Sequence, residues 1–325
     1  MKLPSLEKLQ IENKKVLVRA DLDFEPDGEN LRFKALIPTL DYLKEKKAEI
    51  ILIGHRGRPA SAEELRRGKP QEFEKQFSLI PFKEIFEKWK VEVLENLRFN
   101  PGEEANAENF AQELAAKGEV FINEAFAASH REHASIVSLP KFLPHAAGFH
   151  FMEEVKNLSQ ILEGTQRPVL LIVSGIKEDK LKYTEDFKRI ADKILIGGRL
   201  PDYIHDASPL RKDEKFIVAN LVADKEDITV HSVEVFEKEI SRAGTIMISG
   251  PLGKFEEEGH KQGTKRVFEA VAGTGAFKVA AGGDTLAAVK LLDLETKFSW
   301  LSVGGGASLE FLVKGTLPGI EALTG

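Results

Sequence analysis

The stretch PVLLIVSGIKEDKL, residues 168–181, sets the frame for the whole chain. Val169 to Val173 are five consecutive apolar residues, the pattern of a strand buried on both faces, as in a parallel sheet. Ser174 and Gly175 then turn the chain and deliver Lys177 and Lys180. A glycine turn followed by two cations suits a phosphate; it equally suits an ordinary strand exit into a charged helix start. Taken alone, the segment leaves both readings open.

The same rhythm extends in both directions. Downstream, KILIGG, KFIVAN, ITVHS, TIMISG, KVAAGG and SWLSVGG read as short strands, with amphipathic helices such as SVEVFEKEISRA and TKRVFEAVAGT between them. Upstream, KVLVRA, EIILIG, VEVLEN and EVFINEAF read as strands, alternating with helices near Lys34 to Glu45, Pro81 to Lys90 and Ala107 to Ala116. Short Val/Ile/Leu strands alternating with helices predict an α/β fold with mostly parallel sheets covered on both faces. A length of 325 residues suits two domains, and the helical stretch from about Met152 to Leu162, followed by polar EGTQRP, is the natural boundary.

Composition narrows the functional classes. Apolar residues make up 42% and charged residues 30%, which argues against disorder. With 46 Lys and Arg against 52 acids, the net charge of -6 offers no chain-wide attraction for nucleic acid or an anionic membrane. A local cluster of Arg and His must therefore serve something small. Cysteine is absent, which excludes disulfides, zinc-thiolate sites and thiol nucleophiles. No apolar run has the length and flanks of a signal segment or a membrane span, so the chain reads as cytoplasmic.

Open α/β sheets bind ligands outside the carboxyl ends of their strands, so the residues just after each strand carry the chemistry. In the N-terminal half, Arg19 and Asp21 end KVLVRAD, and GHRGRP supplies His55, Arg56 and Arg58. Arg98 lies in LENLRFNPGEE, His130, Arg131 and His133 in AFAASHREHAS, and Arg32 just ahead of the first expected helix. Several cations at one sheet edge of an acidic protein form a candidate anion pocket, since the arginine fork bonds phosphate or carboxylate bidentately. Alternatively, each arginine is solvated or pairs with a nearby acid such as Glu95, Glu103 or Glu132, and the histidines are satisfied core residues.

The C-terminal half collects glycines at the corresponding places: Gly197 and Gly198, SGPLGKFE, AGGDT and GGGAS, the last two running directly into helices. Glycine lets a phosphate approach the backbone, and a helix N-terminus offers free N–H groups. Neither a Walker A pattern nor a GxGxxG fingerprint is present. Asp284 is a candidate Mg²⁺ ligand beside nucleotide phosphates, or a helix N-cap helped by Thr285.

These residues together resemble the phosphoglycerate kinase family over nearly the whole length. The matching stretches are VLVRADLDF, GHRGRP, LENLRFNPGEE, NEAFAASHREHAS, the GIKEDK loop, SGPLGKFE, AAGGDTLAAV, FSWLSVGGGASLE and the terminal LPGIEAL. The resemblance implies two Rossmann-like lobes joined by a hinge helix. An N-terminal lobe over 1–151 would bind 3-phosphoglycerate, 152–165 would form the hinge helix and linker, and 166–312 would bind Mg-nucleotide. Residues 313–325 would return to the N-terminal lobe, in a monomer.

It further implies reversible glycolytic phosphoryl transfer between ATP and the carboxylate of 3-phosphoglycerate, giving ADP and 1,3-bisphosphoglycerate, with Mg²⁺ as cofactor. Carried over position by position, substrate would meet Arg19, Asp21, Leu22, Asp23, Arg32, His55, Arg56, Gly57, Arg58, Arg98, Arg131 and His133. Nucleotide would meet Lys180, Gly197, Gly198, Glu256, Gly282, Gly283, Asp284 and Thr285, with Asp284 on the metal. Arg32, Lys177, Lys180, Gly304 and Gly305 would carry catalysis. A carboxylate acceptor is already ionised at neutral pH, so no general base is needed and the chemistry reduces to positioning and charge neutralisation.

Several positions depart from the family pattern. The lysine loop has two residues between its lysines where the family usually has three, and Ser174-Gly175 replaces Gly-Gly. The family's third consecutive glycine is Arg199, followed by Pro201; Ser249 stands for Asn, and Ala281 for Gly. The stretch between Arg199 and Thr245 is several helices shorter than usual, and Asp23 stands where the family has Asn. Ala127 adds a methyl group to a family glycine. These departures also fit a second class, a pseudoenzyme of the same fold that binds a phosphorylated acid without efficient transfer.

Overall fold

The protein, as a computed structural model, is described over residues 2–58, 75–163 and 166–325. Pro59 of the GHRGRP motif and residues 164–165 of the expected linker lie outside these described residues. The chain divides into two compact units: the residues up to Val155 together with Thr316–Gly325, and Lys156–Gly315.

The first unit is built on five parallel strands: β1 (Lys15–Arg19), β2 (Glu49–Ile53), β3 (Glu92–Val93), β4 (Val120–Asn123) and β5 (His145–Ala147), in the order β3-β2-β1-β4-β5. Val16, Leu17 and Val18 of β1 are fully buried, as a central strand covered on both faces requires. Helix α1 (Leu31–Glu45) presents Phe33, Leu36, Leu40 and Leu43 to the core at helical spacing. Each such side chain contributes about 1.5–3 kcal/mol of burial. The Asn30 side chain accepts the Arg32 N–H and starts α1 earlier than expected, which puts Arg32 in the first turn rather than ahead of it.

The second unit holds six parallel strands: β6 (Val169–Val173), β7 (Lys193–Ile196), β8 (Phe216–Val218), β9 (Thr245–Ser249), β10 (Phe277–Ala281) and β11 (Trp300–Ser302), in the order β11-β10-β9-β6-β7-β8. All five residues of β6 are buried. The two-unit parallel α/β architecture expected from the strand rhythm is thus present. In each sheet the strand order reverses direction beside a central strand, between β1 and β4 in one and between β6 and β9 in the other. Such switch points open a crevice at the carboxyl edge.

Local differences have identifiable causes. The expected helix over Pro81 to Lys90 is divided into α2 (Phe82–Ile85) and a 3₁₀ turn (Glu87–Trp89), closed by Lys90 in the left-handed region at φ 54°. ITVHS is not a strand: Thr229 caps a helix, its side chain accepting the Ser232 N–H, and Ile228 makes only an isolated bridge with Leu221. Strand β5 was not anticipated, because PHAAG is too short to show alternation.

Two short helices shape the loop after Arg98, α3 (Pro101–Glu104) and α4 (Glu108–Ala115). Helix α5 (Phe149–Glu163) contains the point where the chain passes from one unit to the next. Its first turn is anchored by first-unit side chains: Phe149 N–H donates to Thr39 Oγ1 (3.0 Å) and Phe151 N–H to Glu124 Oε2 (2.9 Å). The remaining helices are α6 (Thr184–Ile190), α7 (Val230–Ile240), α8 (Gln262–Gly273), α9 (Gly283–Leu291), α10 (Gly305–Lys314) and α11 (Pro318–Thr324). The last packs within the first unit, where Gly319 N–H donates to the Ser129 carbonyl at 2.9 Å. Among the described residues, no helix is long and apolar enough to cross a membrane.

Candidate functional site

The carboxyl edge of the first sheet gathers the cations that the sequence placed at separate strand exits. Arg19 ends β1, His55 follows β2, Arg98 lies in the turn after β3, and Arg131 and His133 follow β4. Arg98 donates from Nη1 to the Gly57 carbonyl, and its Nε lies 3.0 Å from Glu104 Oε1. Arg131 Nη1 lies 3.5 Å from His55 Nε2. Arg32 donates to the Asp23 carbonyl (2.6 Å) and lies 3.5 Å from Asp21 Oδ1. Arg56 pairs with Glu25 at 2.5 Å, and Arg58 is exposed.

Crowding has electrostatic consequences. Burial, followed by the neighbouring Arg131, brings the Arg98 pKa down to about 10. Arg131 is lowered by burial and then by Arg58. Burial and the surrounding arginines push His55 well below its ordinary value and His133 down to about 3, so both rings are neutral at physiological pH. Cations that depress one another in this way gain most from a bound anion.

Not every expected substrate residue faces that edge. Arg19 is fully buried and its guanidinium is committed: Nε to Ser135 Oγ (2.8 Å), Nη1 to the Ala20 carbonyl (2.6 Å) and Nη2 to His55 Nδ1 (2.7 Å). It lies beneath the cluster, fully buried, and its three named bonds are all to protein groups. The Leu22 side chain is likewise in the core, leaving only its backbone for contact. Asp23 accepts the Gly57 N–H at 2.7 Å, so the extra carboxylate is spent on the turn that carries Arg56 and Arg58. Of the three acids named as partners for arginine, Glu103 approaches Arg19 at 3.9 Å, whereas Glu95 accepts from Ser78 and from the Leu79 and Asn96 amides. The supporting Ser135 had no signal in the sequence, because nothing about its spacing relates it to β1. Asn96, whose amide holds the carbonyls of Arg56 and Phe77, was equally silent.

In the second unit, the exits of β6, β7 and β9 pack backbone against backbone. Gly198 (φ +58°) and Gly250 (φ +105°) have no room for a side chain: a Cβ on Gly250 would sit 2.1 Å from the Ser174 carbonyl oxygen, and one on Gly198 would sit 2.5 Å from the Gly175 nitrogen. A Cβ on Gly197 would meet Leu252 at 2.3 Å. Lys180 reaches back into this junction, its Nζ donating to the carbonyls of Ser174 (2.6 Å) and Ser249 (3.0 Å) and to Ser249 Oγ (3.2 Å). Burial lowers its pKa to about 8 against the opposing pull of Asp284. Lys177 and Glu256 are exposed.

Helices α9 and α10 begin side by side: a Cβ on Gly282 would lie 3.1 Å from the Gly305 Cα. Their first-turn amides lack intrahelical acceptors, and glycines stand at both helix starts: Gly282 and Gly283 at one, Gly304 and Gly305 at the other. Asp284 is exposed on the first turn of α9. Thr285, expected at the phosphates, is instead buried; its hydroxyl accepts the Gly250 N–H and donates to the Ala281 carbonyl, each at 2.7 Å. The hydroxyl ties β9 to β10, which leaves only the backbone N–H of Thr285 for a ligand. A cavity of about 380 Å³, lined among others by Asp202, His205, Arg211, Asn220 and Lys225, opens after β8 in the shortened stretch.

Fold and strand-edge chemistry together define a class: a two-unit parallel α/β protein, one unit with a cationic strand edge and the other with paired glycine-opened helix N-termini. A family model described as phosphoglycerate kinase matches residues 6–226 and 205–315. The two matches overlap over residues 205–226. Phosphoglycerate kinase of Coprothermobacter proteolyticus is 33% identical, with 99% of each chain covered. That of Thermus thermophilus is also 33% identical, with 98% of each covered. The first alignment runs over 399 positions against 325 residues, so at least 74 positions of it (399 − 325) have no counterpart here. Among solved structures, phosphoglycerate kinase from Coxiella burnetii superposes with a TM-score of 0.79 at 28% identity, covering 99% of each chain. The Pyrococcus horikoshii enzyme gives 0.79 at 27%, covering 98% of each. The chain belongs to the phosphoglycerate kinase family.

Proposed function

We propose that this chain is a phosphotransferase acting on a carboxyl group: it moves a phosphoryl group reversibly between ATP and the carboxylate of 3-phosphoglycerate, giving ADP and 1,3-bisphosphoglycerate. The observation that carries the reading is the convergence of Arg98, Arg131 and His55 on one strand edge in a member of this family. Arg32, Arg56 and Arg58 complete the substrate's cationic setting, and Gly57 and the backbone of Leu22 shape the floor. His133 lies behind His55, and Asp21 steers Arg32.

On the nucleotide side, the amides at the starts of α9 and α10 bind phosphate oxygens, and Gly304 and Gly305 leave the backbone open to the transferring group. Lys180 and Lys177 supply positive charge as the phosphoryl group moves, and Glu256 serves the ribose. Asp284 fits Mg²⁺, since it is an exposed carboxylate beside an anion site, and Mg²⁺ on nucleotides is held by one or two carboxylates plus phosphate oxygens. When bound it neutralises phosphate charge. The acceptor carboxylate is already ionised, so the protein's contribution is alignment and charge compensation.

The test is a coupled assay with Mg-ATP and 3-phosphoglycerate. Substrate-dependent ADP formation is expected, and its absence at high enzyme concentration would overturn the reading. Glycolytic flux, a cytoplasmic location and a monomeric state are parts of the same proposal, the last checked by sedimentation.

A further inference from the structure

One acid in the first unit lies deeper than any ligand would reach. Glu103, on α3, is fully buried and accepts two hydrogen bonds from Ser135, from the backbone N–H (3.0 Å) and from the hydroxyl (2.6 Å). The Ser135 hydroxyl, having donated to Glu103, accepts from Arg19 Nε at 2.8 Å. Glu103 Oε1 also lies 3.9 Å from Arg19 Nη2 and 3.8 Å from His133 Nδ1. Arg19 is fully buried, and a guanidinium in that position demands a counter-charge. Glu103 is the nearest one.

The other end of the chain of contacts is His55. Arginine has only donors, so the 2.7 Å approach of Arg19 Nη2 makes His55 Nδ1 an acceptor. A neutral imidazole with an accepting Nδ1 carries its proton on Nε2. That Nε2–H lies 3.5 Å from Arg131 Nη1, also a donor, so the two cannot satisfy each other. Two donors held side by side at the cationic edge require a shared acceptor, and an anionic oxygen is the group that fits.

We propose that Glu103 is a positioning residue for the substrate anion: its buried charge holds Arg19 in the core, and Arg19 holds His55 as an Nε2–H donor beside Arg131. This rests on the reading above that the anion is 3-phosphoglycerate. Glu103 touches no ligand; it acts through Ser135 and Arg19 on a tautomer. Loss of its charge frees Arg19 to withdraw from His55, and the ring then samples the Nδ1–H form, which presents a lone pair to the anion.

The test reads the tautomer directly, by nitrogen-15 NMR of the histidine rings without turnover, and then the kinetics. In the wild-type protein His55 is expected neutral with its proton on Nε2. In Glu103→Gln it is expected to lose that single form, with KM for 3-phosphoglycerate rising roughly tenfold, the worth of a hydrogen bond to a charged group, and KM for ATP unchanged. Glu103→Asp, which keeps the charge, is expected to recover part of the loss. A wild-type His55 protonated on Nδ1, or a folded Glu103→Gln with unaltered His55 spectrum and KM, would overturn the assignment. Should Glu103→Gln fail to fold, Ser135→Ala, which cuts the same relay, makes the comparison. If the wild type shows the expected tautomer and Glu103→Gln loses it, but neither protein has transferase activity, the functional reading is refuted and the Glu103 assignment supported.

Discussion

Lys180 Nζ donates to the carbonyl oxygen of Ser174 at 2.6 Å, so the lysine that closes the shortened loop turns back onto the end of the strand that precedes it. This places the cation between the exits of β6 and β9, at the switch point of the second sheet. The loop, though a residue short of the usual family spacing, still delivers its second lysine to the carboxyl edge.

The lowered Lys180 pKa gives opposite pH effects on stability and turnover. Between about 8 and the ordinary 10.5, the unfolded chain holds the proton more tightly than the folded one. Stability therefore rises with pH across that window, and the cost of the buried charge is fully present below it. Activity runs the other way: kcat/KM for Mg-ATP is expected to fall above about pH 8 as Nζ loses its charge. Lys180→Arg should shift that limb to higher pH, and Lys180→Met should lower kcat by roughly 10²–10³ at neutral pH. A pH–rate profile of the three proteins decides it.

Gly250→Ala is expected to be severely destabilising. The left-handed φ and the 2.1 Å approach to the Ser174 carbonyl require the backbone junction to open, at a cost of roughly 3 kcal/mol or more. Urea denaturation checks it, and a loss below about 1 kcal/mol would show that the strand exits can part easily.

Asp23→Asn should tighten substrate binding. The Gly57 N–H still finds a side-chain oxygen, while one negative charge leaves the anion edge. A fall in KM for 3-phosphoglycerate of roughly threefold, with the thermal midpoint unchanged, is expected. A rise in KM would mean that the carboxylate serves the site.

An anion alone should stabilise the first unit. Arg131 depresses the Arg98 pKa and Arg58 that of Arg131, so an anion relieves the crowding, and 3-phosphoglycerate at 100 times its Kd is expected to add about 2.7 kcal/mol. Scanning calorimetry would show an upward shift, reduced in Arg98→Ala. Equal shifts in the two proteins would remove Arg98 from the pocket.

The strand framework was legible because its signal is local. Val169 to Val173 and Val16 to Val18 are apolar in every position, and short runs of this kind bounded by turn residues are the pattern of a strand buried on both faces. The residues at the strand exits were legible as a set, but not by depth. Arg19 and Arg98 look alike in sequence, yet one is sealed in the core by Ser135, which lies 116 positions away. The Thr285 hydroxyl was illegible for a similar reason: its partner is the Gly250 amide, a contact between two turns that no local pattern encodes. Asn30 shows the complementary case, since its cap is a short-range signal that moves Arg32 into the helix.

Residues 316–325 belong to the first unit although the second unit separates them from the rest of it, and this has a bearing on how the protein is born. Residues 316–325 leave the ribosome only after all of Lys156–Gly315 has been made. The second unit is contiguous and can complete itself during synthesis; the first must wait, its Ser129 carbonyl without the Gly319 amide, until translation has passed the other unit entirely. The unit that is started first is the last to be finished.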